Sequence, residues 1–153
     1  MEFRELIRGV GEKLGLDMPL QGDVCVLTVD DMQITLQALE EVGQLSVYGE
    51  IGEPPPQGLE QLLSAMLNAN HLFQGTAGST ISRDPETGRF FLCRYGPLSV
   101  LTVERLVEDL ENFVNVLETW RKLLLDYRPS ETMAEPVQTA GPPSLGGEGF
   151  LAV

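Results

Sequence analysis

Apolar residues recur at helical spacing between Leu98 and Tyr127, where Val103, Leu106, Val107, Leu110, Phe113, Val114, Leu117, Trp120 and Leu124 form one continuous stripe. At 1.5 Å per residue this predicts a helix about 37 Å long with one buried face. Thr102 is placed to cap its start, with Glu104 in the first turn, and Arg121, Lys122 and Arg128 lie near its end, where positive charge suits the dipole. The same period in Phe3, Leu6, Ile7, Val10 and Leu14 predicts a first helix over residues 2–15, stopped at Gly15. A third stripe, Leu59, Leu62, Leu63, Met66, Leu67, Asn70 and Phe73, is widened by Ala65, Ala69 and Leu72. That helix is apolar beyond what one contact needs, so it calls for a second partner, either more core or another subunit.

Between the helices the period falls to two. Asp23 to Val29 is an almost unbroken apolar run, which predicts a strand covered on both sides. After Asp30-Asp31, Met32, Ile34, Leu36 and Ala38 alternate with polar residues, and after a turn at Glu40–Gly43 so do Leu45, Val47, Gly49 and Ile51. Pro54-Pro55-Pro56 imposes a stiff, extended crossover. Gly75-Thr76-Ala77-Gly78 breaks the chain after the middle helix, and strands at Ser79–Arg83 and Arg89–Tyr95 pair across Asp84-Pro85-Glu86-Thr87-Gly88. The order is helix, three strands, helix, two strands, helix. The predicted class is α+β, a twisted five-stranded antiparallel sheet with helices packed against it.

Composition sets the outer limits. With 153 residues, 42% of them hydrophobic, the chain suffices for one folded domain, residues 1–128, without a metal or disulfide. Residues 129–153, rich in Pro and Gly with three acids and no base, predict a disordered tail. The charged start, Met1-Glu2-Phe3-Arg4-Glu5, and the lack of a bilayer-length apolar run predict a cytosolic protein. Cys25 and Cys93, each in a strand-like run, are expected as buried, reduced thiols. The net charge of −13 repels phosphate backbones and anionic lipid, which argues against nucleic acid or membrane insertion and favours basic or amphipathic polypeptides.

Candidate chemistry is sparse. The lone His71 has no partners at metal-ligand spacing, so neither a metal site nor a cofactor is expected. Ser79, His71 and Asp84 lie near one another in sequence, yet no nucleophile elbow surrounds the serine. The glycine-rich loop at 75–78 lacks the Lys and Ser/Thr of a phosphate loop. No catalytic residue is assigned, and the chain reads as a non-enzyme.

The run Leu62-Leu63-Ser64-Ala65-Met66-Leu67-Asn68-Ala69-Asn70, leading to Gly75 and Gly78, resembles the class I chaperones of bacterial type III secretion, the Tir-chaperone group. Arg89-Phe90-Phe91-Leu92-Cys93-Arg94-Tyr95, then Pro97-Leu98 and the helix carrying Leu101, Leu106, Leu110, Phe113 and Trp120, look like the closing half of the same family. The likeness covers roughly residues 2–126. It implies a bacterial cytoplasmic homodimer that binds the N-terminal segment of a secreted effector in extended form, keeps it soluble and secretion-competent without nucleotide hydrolysis, and serves virulence. The secretion ATPase is a further implied partner. By this resemblance the middle helix builds the dimer seam through Leu59, Leu63, Met66, Leu67 and Asn70. Effector contact is assigned to Leu16, Met18 and Leu20 after the first helix, with Val24, Val26 and Tyr48 on the sheet. The terminal Phe150-Leu151-Ala152-Val153 is a candidate occupant of an effector patch. The alternatives are a similarly folded regulatory domain with an endogenous partner, and a small hydrolase using Ser79 or His71.

Overall fold

The computed structural model describes residues 1–129. Its elements run α1 (Phe3–Leu14), β1 (Leu20–Gln21), β2 (Val24–Val29), β3 (Met32–Leu39), β4 (Gln44–Gly52), α2 (Leu59–Asn70), β5 (Thr80–Arg83), β6 (Phe90–Pro97) and α3 (Val103–Asp126). The α+β class and the expected order of the long elements hold. A sixth strand is added by the two-residue β1, which pairs Leu20 with Cys25 and Gln21 with Val24. The sheet is antiparallel in the order β1-β2-β3-β4-β6-β5. Residues 129–153, apart from Pro129, lie outside the described residues.

Turn chemistry sets the boundaries. Gly15 ends α1 at φ 64°, and Gly43 closes a short turn after β3 at φ 65°, both left-handed positions that cost glycine little. The Thr102 hydroxyl accepts the Arg105 N–H at 3.2 Å, making it the N-cap expected for α3. Leu98–Val100, just before that cap, form a separate 3-10 turn.

One face of the sheet carries Cys25, Leu27, Ile34, Leu36, Leu45, Val47, Phe90 and Leu92, all buried beneath α1 and α3. The helix α3 runs along β4, and Leu117, fully buried, reaches the sheet at Gly49. A Cβ at Gly49 would stand 2.7 Å from Leu117 Cδ2, so the absent side chain is what lets the helix seat this closely. At the other end of the sheet the segments on either side of α2 are tied to α3 and the residue after it by two hydrogen bonds: Trp120 Nε1 donates to the Gly75 carbonyl at 2.9 Å, and Tyr127 Oη to the Gly58 carbonyl at 2.6 Å.

The expectation that β2 is covered on both sides is corrected. Val26, on the face away from α1 and α3, is 38% exposed, and Val24, Thr35, Gln37, Ser46 and Tyr48 around it are only half-buried. The cysteine expectation is corrected in part. Both thiols are free and Cys25 is buried, but Cys93 lies half-buried on the open face, with Sγ 3.3 Å from Ser82 Oγ. Burial, reinforced by the nearby Asp17 carboxylate, pushes the Cys25 thiol above its ordinary value.

Two outcomes follow from this packing. Leu117→Ala should lower stability by about 2–5 kcal/mol, read as a shift in urea midpoint; an unshifted midpoint would mean that α3 is not seated on β4. An alkylating reagent at pH 8 should modify Cys93 in the native protein and reach Cys25 only on unfolding, as followed by mass spectrometry. Equal labelling rates would contradict the placement of β2.

Candidate functional site

The two edges of the sheet differ. On β5 the side chain of Asn70 closes the edge: its Oδ1 accepts the Ile81 N–H at 2.8 Å and its Nδ2 donates to the Ile81 carbonyl at 3.0 Å. An amide side chain there makes the two bonds a neighbouring strand would make. The opposite edge has no such closure. Because β1 pairs only with Val24 and Cys25, Val26–Val29 have no strand beyond them among the described residues. This stretch contains no charge, no proline and no bulge, the usual devices that protect a free edge.

Two mainly apolar grooves lie on this side, the first at the open edge and the second beside α1 and β1. One, of about 290 Å³, is lined by Leu14, Leu16, Leu27, Val29, Leu110 and Val114, with Glu111 and Asn115 at its polar side. A second, of about 520 Å³, shares Leu16 with it and runs beside α1, where Ile7, Met18 and Leu20 are bordered by Arg4 and Arg8. An extended peptide laid along Val26–Val29 would send alternate side chains into the first groove and onto the open face at Val26. Unpaired main chain beside alternating pockets is the geometry that strand addition uses.

Nothing comparable is assembled for catalysis. Ser79 is buried at the end of the loop, while His71 is exposed, and Asp84 Oδ1 accepts the Glu86 N–H at 2.9 Å within its own hairpin turn. That bond, with further help from Thr87, holds the Asp84 carboxyl below its usual range. Among the described residues no three His, Cys, Asp or Glu side chains gather as metal ligands, and no helix is long and apolar enough to cross a membrane.

The family model described as "Tir chaperone protein (CesT) family" matches residues 5–121. The chain belongs to that family. No curated protein sequence matches it. Among solved structures, a chain of the HopA1–SchA chaperone–effector complex superposes with a TM-score of 0.64 at 19% identity, covering 78% of this chain and 93% of that one. A chain of the complex between the Yersinia pestis type III secretion chaperone SycH and a stable fragment of YscM2 gives 0.62 at 18% identity, covering 78% and 99%. YbjN from E. coli gives 0.58 at 10% identity, covering 77% and 87%. At these identities the likeness shows the fold.

In this CesT-family chain the residues assigned to effector contact fall into two groups. Leu16, Met18 and Leu20 line the groove beside α1, on the helix side of the sheet. Val24, Val26 and Tyr48 lie on the opposite, open face. The residues assigned to the dimer seam also divide. Leu67 is 70% exposed, Leu59 and Leu63 are half-buried against the core, and Met66 is buried within its own chain. Asn70 is engaged with Ile81.

Sequence reasoning carried α2 through Phe73, but the helix ends at Asn70 in a strained knuckle. Leu72, Phe73 and Ala77 have φ of 52°, 57° and 48°, positions that cost about 1–3 kcal/mol each for residues with a side chain. Gly75, whose Cβ would stand 2.7 Å from Ala69 Cβ, bonds back to the Ala69 carbonyl at 2.9 Å and holds the knuckle closed. The result projects Leu72 and Phe73 into solvent, at 72% and 53% exposure. Left-handed backbone at a leucine and a phenylalanine has no signature in the hydrophobic pattern, which read both as one more helical turn.

Asn70→Ala should cost about 1–3 kcal/mol, since it strands the Ile81 N–H and carbonyl, and should speed amide exchange at Ile81 more than tenfold. Unchanged exchange there would show that Asn70 does not close the edge.

Proposed function

We propose that this CesT-family chain is a type III secretion chaperone that holds the N-terminal segment of a secreted effector, keeping it soluble and fit for export. The open edge at Val26–Val29 with its flanking grooves carries this reading. The segment docks as an added strand, its side chains filling the groove lined by Leu27, Val29, Leu110 and Val114 and the neighbouring one at Leu16, Met18 and Leu20. Val24, Val26 and Tyr48 supply contacts on the open face. Binding of this kind uses preformed surface and no nucleotide. The HopA1–SchA and SycH–YscM2 complexes support it as relatives of the same fold, and family membership over residues 5–121 favours it over a regulatory or hydrolytic role.

The same reading makes the working unit a homodimer in the bacterial cytoplasm, able to present its client to the secretion ATPase. Its seam centres on Leu67, Leu72 and Phe73, with Leu59 and Leu63 at its margin. Three large exposed apolar side chains, two of them on strained backbone, are costly unless a second copy covers them. Asn70 and Met66 contribute to the seam indirectly, by fixing the end of α2.

Co-expression with a neighbouring effector should yield a soluble complex of two chaperones and one effector. Val26→Asp, at a partly exposed edge position, should weaken that complex at least tenfold while the melting temperature stays within a few degrees. Full affinity in this variant would rule out docking at β2. Leu67→Asp with Phe73→Ser should convert the dimer to a monomer at micromolar concentration, as measured by sedimentation. A wild-type protein that sediments as a monomer would remove the seam.

A further inference from the structure

On the far flank of α3 from the β2 edge, the sheet and the helix leave a gap between them. This cavity, of about 440 Å³, is lined by Leu45 and Val47 of β4, Gly96 of β6, and Leu101 and Leu106. No residue of α1 or α2 lines it. At about 100° per residue, its α3 residues Arg105, Leu106 and Asp109 lie on the opposite flank from Leu110, Glu111, Val114 and Asn115 of the edge groove. Arg94, which pairs across from Val47 in the sheet, brings its Nη2 to 2.9 Å from Asp109 Oδ1. The Nε of Arg105 stands 3.4 Å from the same oxygen. We propose that this cavity is a second anchor for the polypeptide docked at the β2 edge, taking from it a large apolar side chain with an acidic residue beside it. The inference rests on the reading of that edge as the client's docking place.

Charge, space and continuity carry it. Two guanidinium groups converge on one carboxylate, and neither has another partner among the described residues. Asp109 is the only acid among the described residues lining the cavity, while the exposed Glu104 and Glu108 line neither groove. The cavity therefore keeps one unmatched positive charge in a chain whose net charge is −13. The side chains of Arg94 and Asp109 are only 26% and 14% exposed, so a carboxylate entering beside them is partly shielded from water. A charge-assisted bond is stronger there than on an open surface. A Cβ at Gly96 would meet nothing within 4 Å, which leaves room above the strand for a foreign side chain. Val100, 67% exposed, extends the apolar lining outward. A helix with its side chains is roughly 10–12 Å across, so about five or six extended residues carry a docked chain over α3 from the edge groove to this cavity.

The test titrates the full chain with acetyl-Leu-Glu-Leu-amide and with its Gln counterpart, following the Gly96 amide and the Arg94 and Arg105 Nε signals by NMR. The Glu peptide should shift all three signals and bind at least fivefold more tightly than the Gln peptide. Gly96→Leu, which fills the cavity, should abolish that binding, and Arg105→Gln should remove the preference for Glu. Equal affinity for the two peptides, or binding that survives Gly96→Leu, overturns the inference. Hexanoate binding as tightly as the Glu peptide overturns it in favour of a small-molecule site. Self-association that Gly96→Leu abolishes overturns it in favour of a second copy. In the effector complex, Gly96→Leu should lower affinity at least fivefold without lowering the melting temperature. If Gly96→Leu keeps full affinity while Val26→Asp loses the effector, the second anchor fails and the chaperone reading stands. If Gly96→Leu loses the effector while Val26→Asp keeps it, the reading of the β2 edge fails and the cavity remains a docking place.

Discussion

The seating of α3 along β4 decides what the rest of the molecule must do. Leu117 at Gly49 and Leu124 at Gly52 bring the helix close to the sheet, and α1 packs beside it on the same side. The segments flanking the third helix, α2, are tied to α3 and its end by Trp120 and Tyr127. The sheet has two faces and two edges, and this arrangement covers one face and closes one edge. The surface left over is not an accident of a small core, since Ile34, Leu36, Leu92 and Leu117 are all completely buried. The core is well made, and the exposed apolar groups lie outside it.

That surplus falls in two separate places, which suits two kinds of contact. At the β2 edge it is extended main chain flanked by grooves, a geometry that accepts any segment able to pair and fill alternate pockets. Around the end of α2 it is three exposed apolar side chains, Leu67 on the helix and Leu72 and Phe73 on left-handed backbone just beyond it. The large negative charge lets both surfaces stay exposed, because like-charged molecules resist unspecific association through their apolar patches.

Periodicity made most of the fold legible. Period-two alternation in β3 and β4, the stripe of α3, the Thr102 cap and the Asp84–Gly88 hairpin are local signals, and each survives unchanged in the structure. The misreadings share one origin. The unbroken apolar run of β2 implied two covered faces, yet Val26 meets no helix, because run composition records what a strand could bury and not what the rest of the chain brings to it. Phe73 fitted the helical period of α2 but sits beyond the helix end, where hydrogen bonds to Gly75 and Ile81 made elsewhere override the local preference.

The amino-acid sequence by itself determined the class, the order of elements, the buried stripes and a Tir-chaperone likeness, because each depends on residues close together along the chain. It also announced an excess of apolar surface on α2. Which edge stays open was decided only in three dimensions. Asn70 reaches Ile81 across eleven residues, and β1 stops after two pairs with β2. Leu16 joins two grooves that draw on α1, β2 and α3. Such relations depend on how distant segments are packed against one another, and no local pattern of polar and apolar residues encodes that packing.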